Sequence, residues 1–214
     1  MHPRLLLPVL LLCVSACGDR FVPRETRVSF DPSARSEFWS LPFPSDLRRE
    51  ADGTFNLTRY PGPRSLISEA WLKTADAQLK EGWGLTPGVF FTLNGPADPA
   101  SLPATAAASL EPGASVFLVD VDPGSPERGR RFPLEVAFDA DGGATRPGNL
   151  LSLVQVFGFA RRPATLYAAV LTDGVKDAAG QPVGRSEPFH AAWTAASGAD
   201  AAAVANLAPL RTWM

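Results

Sequence analysis

Two cysteines, two histidines and four strand-end aspartates are the residues of this 214-residue chain whose types and spacing first suggest chemistry. The cysteines, Cys13 and Cys17, lie within the first 17 residues, and the histidines are His2 and His190. Zinc needs three or four Cys, His or carboxylate ligands, and this supply does not meet it. Asp120, Asp122, Asp139 and Asp141 stand where strands are expected to end, so loops could gather their carboxylates around calcium. The pattern around Asp139 and Asp141 lacks the first acidic position and the distal Glu of an EF-hand loop. The competing reading is that each aspartate shapes its own turn. No Gly-x-Ser-x-Gly elbow supplies a serine nucleophile, and no Gly-x-Gly-x-x-Gly opens a phosphate-binding helix. Acids are many, but no pattern selects a pair at glycosidase spacing. The expectation is a chain with no catalytic residues and no cofactor.

The chemistry that remains is that of Cys17. Arg4 precedes the apolar run Leu5 to Val14, and the small residues Ser15 and Ala16 stand before the cysteine. That is the layout of a secretory signal peptide. The run is too short for a transmembrane helix, which needs about 20 apolar residues, and Pro8 interrupts it. Val14-Ser15-Ala16-Cys17 resembles a bacterial lipobox, in which the peptidase cuts before a cysteine whose sulfur carries diacylglycerol. Cys13 would leave with the leader, so Cys17 would keep no disulfide partner. Cleavage would leave about 198 residues, enough for one sizeable core. The resemblance implies a cell-envelope protein held to a membrane by its N-terminal lipid. Gly18 follows the cysteine, where an aspartate would mark inner-membrane retention, so the outer membrane or cell surface is expected. The net charge of −2 and the absence of a Lys/Arg run exclude a nucleic-acid footprint.

Elements must carry these residues, and their pattern is mostly β. The segment 17–37 reads as a polar tether. The extension 38–86 begins with the aromatic FWSLPFPSDL, Phe38 to Leu47, which Pro42 and Pro44 should keep extended against the domain. Its helix is expected over 65–80, with Ser65 as N-cap and Gly82 beyond the end. Leu66, Ala70, Trp71, Ala75 and Leu79 share one face, so Trp71 reads as a core anchor. From 87 to 193 come short apolar runs bounded by turn residues: Val89–Leu93, Ser115–Val121, Leu134–Phe138, Leu150–Phe157, Leu166–Leu171 and Phe189–Trp193. Such spacing predicts a β-sandwich. Leu166 to Leu171 is apolar on both faces, as for an inner strand. Tyr167 suits a corner tyrosine, ring inside and hydroxyl on backbone. Asp173-Gly174 and Gly180 mark turns. The Ala-rich stretch 194–214 predicts a short C-terminal helix.

Two segments carry a family resemblance. PGVFFTLNGPADPASL, Pro87 to Leu102, and RPATLYAAVLTDGVKDAAGQPV, Arg162 to Val183, resemble the opening and closing elements of the bacterial Ig-like domain of S-layer and other surface proteins. LPFPSDLRREADG, Leu41 to Gly53, resembles the start of the N-terminal region of lipase-like lipoproteins, where an Ig-like region precedes an α/β-hydrolase domain. The implied fold is a mainly β, Ig-like β-sandwich with a helix-bearing N-terminal extension and a C-terminal helix. The implied role is a spacer, domain-packing or binding module whose partner is a cell-envelope protein or a glycan. The alternative is the accessory region of a hydrolase whose catalytic domain this chain lacks, as a truncated frame or a free-standing module. Trp39, Trp83 and the aromatic entry segment are the candidates for binding a glycan or a protein.

Overall fold

The computed structural model describes residues 20–55, 57, 60–79 and 82–214. Among the described residues six strands form two antiparallel sheets. Val89–Thr92 (β1), Leu150–Gln155 (β5) and Leu134–Asp139 (β4) make one, in the order β1-β5-β4. Arg131–Phe132 (β3), Val116–Asp120 (β2) and Tyr167–Leu171 (β6) make the other, in the order β3-β2-β6. The α-helices among the described residues are Leu66–Gln78 (α1), Glu187–Trp193 (α2) and Ala201–Trp213 (α3).

Alternation of apolar residues sets the register. Phe91 faces Leu151 and Val89 faces Leu153 across β1 and β5, while Val136 opposes Leu153 across β4 and β5. In the other sheet Leu118 lies between Phe132 and Ala169. A single apolar cluster draws Val89, Phe91, Leu134, Leu151 and Leu153 from one sheet and Val116, Leu118 and Phe132 from the other. Pro133 is where the chain passes from β3 to β4 and so changes sheet. A proline donates no ladder hydrogen bond, and its carbonyl accepts from the Val156 amide at 3.0 Å.

β2 is buried at every residue. Its Val116 and Leu118 point into the shared cluster. Phe117 and Val119, with Val121, form a second cluster that Leu210 and Trp213 of α3 cover. The same helix explains β6. That strand was expected to be an inner one, but it stands at the edge of its sheet with β2 as neighbour. Its two apolar faces arise because Tyr167, Ala169 and Leu171 meet the shared cluster while Ala168 and Val170 meet the α3 side.

Three further expectations are corrected. Phe189–Trp193 is helix α2, not a strand: Ser186 caps it, Glu187 lies in its first turn and Pro188 suits the helix start. The aromatic alternation that reads as a strand also fits helical spacing, with Phe189, Ala192 and Trp193 packing as i, i+3, i+4. The segment expected as a tether over 17–37 is packed from Thr26 onward, with Thr26, Phe30 and Pro32 buried. Val28 bridges Leu93, and the Ser29 amide donates to Thr92 at 2.8 Å. Phe30 joins Leu41 and Leu47 against Ala192, Ala203 and Leu207 in a third cluster. Lastly, Phe38–Leu47 is not extended throughout. It contains 3-10 turns at Phe38–Ser40 and Asp46–Arg48, with Phe43 paired to Phe90 through both backbone hydrogen bonds, 2.7 and 3.0 Å.

α1 is the largest departure. Ser65 and Ser68 close a capping box at its start, yet it buries none of its 13 residues. Trp71, expected as a core anchor, is 75% exposed, and Leu66 is 87% exposed. The half-buried side of the helix is Ser68, Leu72, Ala75 and Asp76, and Asp76 accepts from the Phe55 amide at 2.6 Å.

These burials set unequal costs. Leu151, fully buried at the centre of the shared cluster, should cost about 2–5 kcal/mol when changed to Ala, as large-to-small core changes do. Ile67→Ala on α1, where the side chain is 72% exposed, should stay within about 0.5 kcal/mol. Urea unfolding followed by far-UV circular dichroism measures both, and equal losses would contradict this assignment of the core.

Candidate functional site

Cys17 and the residues before it, Val14, Ser15 and Ala16, lie outside the described residues. Close to the start of the described chain, the ring of Phe21 packs on His190 of α2, centroids 5.2 Å apart. His190 is half-buried, and its Nδ1 has no hydrogen-bond partner among the described residues. No acid or nucleophile is hydrogen-bonded to it there, so it stands as a packed ring against an aromatic neighbour.

The four candidate calcium ligands fall in two turns, Asp120 with Asp122 after β2 and Asp139 with Asp141 after β4, and are not gathered into one group. Asp120, fully buried at the end of β2, accepts from the Asp122 amide at 2.9 Å and from the Ser125 hydroxyl at 2.5 Å. Asp122 accepts from the Gly124 amide at 2.8 Å and the Leu166 amide at 3.1 Å, tying the turn after β2 to the start of β6. Asp139, at the end of β4, accepts from the amides of Asp141 and Gly142 at 3.1 and 3.3 Å and pairs with Arg146 at 2.6 Å. Asp141 is exposed. Among the described residues, no group of three or more His, Cys, Asp or Glu side chains is placed to hold a metal. Asp120, Asp122 and Asp139 thus spend carboxylate oxygens on the amides, hydroxyl and guanidinium of their surrounding turns.

Tyr167 is half-buried with its ring edge-on to Phe132 at 5.4 Å, and its hydroxyl accepts from the Arg162 amide at 2.8 Å. Arg161 lies over the same ring at 5.6 Å and is buried. Its guanidinium donates to the carbonyls of Leu85 at 2.9 Å and Pro87 at 3.3 Å. Burial lowers its pKa, with Tyr167 acting in the opposite direction. A cation held by carbonyls ties two loops together. Asp173 and Gly174 occupy a turn closed by the Val175 amide on the Thr172 carbonyl, 3.1 Å. Gly174 packs so close to Ser115 that an added Cβ would meet its Cβ at 2.9 Å. Gly180 has φ +75° in the turn after Asp177, a conformation that costs glycine nothing.

The aromatic entry segment forms a connected group of rings. Phe38 contacts Trp39, Phe43 and Tyr60 at 4.9 to 5.2 Å, and Trp83 joins through Phe43 at 5.2 Å and Phe55 at 3.8 Å. Phe38 and Phe55 are buried. Trp83 is half-buried and its indole N–H donates to Asp46 at 3.0 Å, so both its face and its polar edge are engaged. Arg48 covers Phe38 at 4.7 Å and donates to the Phe38 and Leu41 carbonyls; burial pushes its guanidinium down to about 10. Trp39 is different. It is half-buried and lines an open depression of about 540 Å³ with Ser36, Glu37, Pro61 and Arg64. An aromatic face beside a carboxylate, a guanidinium and a hydroxyl suits a polar ligand with an apolar surface.

Two exposed apolar features escaped the sequence reading. One is the outer side of α1. The other is Phe157, 96% exposed in the turn after β5. A Phe-Gly pair just past a strand was the available signal, and Gly158 takes φ +95° there. Comparison with known proteins found no matching family model, no matching characterised protein and no matching solved structure.

The turn role of Asp120 has a measurable consequence. Asp120→Ala strands the Asp122 amide and the Ser125 hydroxyl, and should cost about 1–3 kcal/mol. Thermal unfolding should give the same loss in calcium and in chelator. A calcium-dependent rise in midpoint that vanishes in the variant would restore the metal reading.

Proposed function

We propose that the chain is a lipid-anchored module of the cell envelope, with no catalytic role, that serves as a spacer, a packing surface or a binding unit. The observation that carries this reading is the leader: an apolar run over Leu5 to Val14 ending in Val14-Ser15-Ala16-Cys17, the only cysteine left after cleavage. Two acyl chains on one residue make a stable anchor, because each buried methylene contributes about 0.8 kcal/mol. The two antiparallel sheets, with one apolar cluster between their residues, support reading residues 87 to 183 as an Ig-like β-sandwich. Among the described residues no helix is long and apolar enough to cross a membrane.

The depression beside Trp39 favours a second reading, a glycan- or protein-binding role for the aromatic entry segment. Its motive is Trp39, which packs in a T-shape on Phe38 and lines the open depression with Glu37 and Arg64.

Mass spectrometry of the protein from a bacterial host tests the anchor. The expected mature N-terminus is Cys17, heavier by a diacylglyceryl group, and Cys17→Ser should accumulate unprocessed and unlipidated. Cleavage elsewhere, or a free Cys17 thiol, would overturn the proposal.

A further inference from the structure

α1 is amphipathic in the wrong direction for a helix of a solvated domain. Its half-buried side, Ser68, Leu72, Ala75 and Asp76, includes a carboxylate. The side turned away from the fold carries Leu66, Ile67, Ala70, Trp71, Thr74 and Ala77, all exposed, with the Gln78 amide between Ile67 and Trp71 in the last turn. No charge lies in that sector; at 100° per residue, Glu69 and Lys73 fall on its flank. Even the Thr74 hydroxyl is used internally, donating to the Ala70 carbonyl at 3.0 Å. An isolated helix of this length is marginal in water, and a helix gains its stability by covering an apolar face. This one has its apolar face uncovered.

We infer that the outward face of α1 lies on the lipid surface to which the chain is tethered, with Leu66, Ile67 and Trp71 in the boundary between headgroups and acyl chains. This rests on the lipid anchor proposed above. Eight residues, 18–25, separate Cys17 from Thr26, the first buried residue among those described. Fully extended, that stretch spans at most about 30 Å, so the fold stays beside the bilayer. Three contacts and one shared depression lead from the start of the described chain to the start of α1. Phe21 meets His190 on α2, α2 packs with α3, Asp200 at the α3 N-cap pairs with Arg35 at 3.0 Å, and Arg64 shares the depression with Glu37. The chemistry of the face favours lipid over protein. Protein interfaces carry about one hydrogen bond per 100–200 Å², and with the Thr74 hydroxyl used internally this sector offers one amide, Gln78, at the end of the helix. Tryptophan prefers the membrane–water boundary, and Lys73 on the flank has the length to reach headgroups.

The test uses the full lipidated chain in vesicles of phosphatidylethanolamine and phosphatidylglycerol, with and without brominated acyl chains that quench nearby indoles. Brominated vesicles should quench the fluorescence, Trp71→Phe should remove most of that quenching, and Ile67→Asp should weaken it. Quenching unchanged in Trp71→Phe would overturn the inference. So would a dimer in detergent that Ile67→Asp splits, or a protein partner whose binding Ile67→Asp abolishes while lipid quenching is absent. The mass of the same sample reads the anchor separately. A lipidated Cys17 with Trp71 unquenched defeats this inference and leaves the anchor standing. If Cys17 is unlipidated the anchor fails, and the same vesicles added to the soluble chain decide α1: quenching at Trp71 supports it and none overturns it.

Discussion

Everything in this fold is arranged around the need to cover β2 on both sides. Five consecutive side chains, Val116 to Asp120, are buried, and a strand can bury both faces only if a layer lies on each. Val116 and Leu118 find theirs in Leu151, Leu153 and Phe91 of the other sheet. Phe117 and Val119 find theirs in Leu210 and Trp213 of α3, far along the chain. A buried leucine or phenylalanine contributes about 1.5–3 kcal/mol, so neither layer is dispensable. The C-terminal helix is therefore part of the core of this domain, although its sequence is merely Ala-rich.

The N-terminal segment answers a second constraint, the exposed edge of β1. An open strand edge presents unpaired amides and carbonyls to any passing chain. Here Phe43 pairs with Phe90, and Val28 and Ser29 attach at Leu93 and Thr92. Pro42 and Pro44 limit that pairing to one residue, because neither can donate. The edge is thus covered without being extended into a longer sheet. The same segment brings Phe30, Leu41 and Leu47 onto α2 and α3, so one stretch of chain covers the edge and seals the helices.

Polar groups in this protein hold loops more than they form a site. Asp120, Asp122 and Asp139 each engage backbone amides, and Arg161 joins the loop before β6 to the Leu85–Pro87 stretch through carbonyls. Buried polar atoms must be paired, and these pairings stiffen the ends of the strands. Apolar and aromatic groups are also left at the surface: the outer face of α1, Phe157, and Trp39 beside its depression. Apolar surfaces of this kind suit contact with other surfaces.

The sequence by itself determined the local elements. Alternation and turn residues located β1, β2, β4, β5 and β6 to within a residue or two at most ends, and Ser65 and the Ala-rich tail marked α1 and α3. The turns at Asp173-Gly174 and Gly180 were legible for the same reason, since glycine and aspartate act through their own backbone. The two-residue β3 was not legible, because a strand that short has no period to read. α2 was misread because Phe189, Ala191 and Trp193 alternate, while the evidence for a helix lay in its cap. Only the tertiary structure decided which apolar faces are inside. Leu66 and Trp71 match a core stripe in sequence, yet the neighbours that would bury them are absent from the described fold. Likewise the double burial of β6 follows from α3, and the parting of Asp120 and Asp122 from Asp139 and Asp141 follows from which strand ends adjoin. Periodicity records that a residue prefers to leave water. Where it goes depends on partners distant in the chain, and those are fixed by packing.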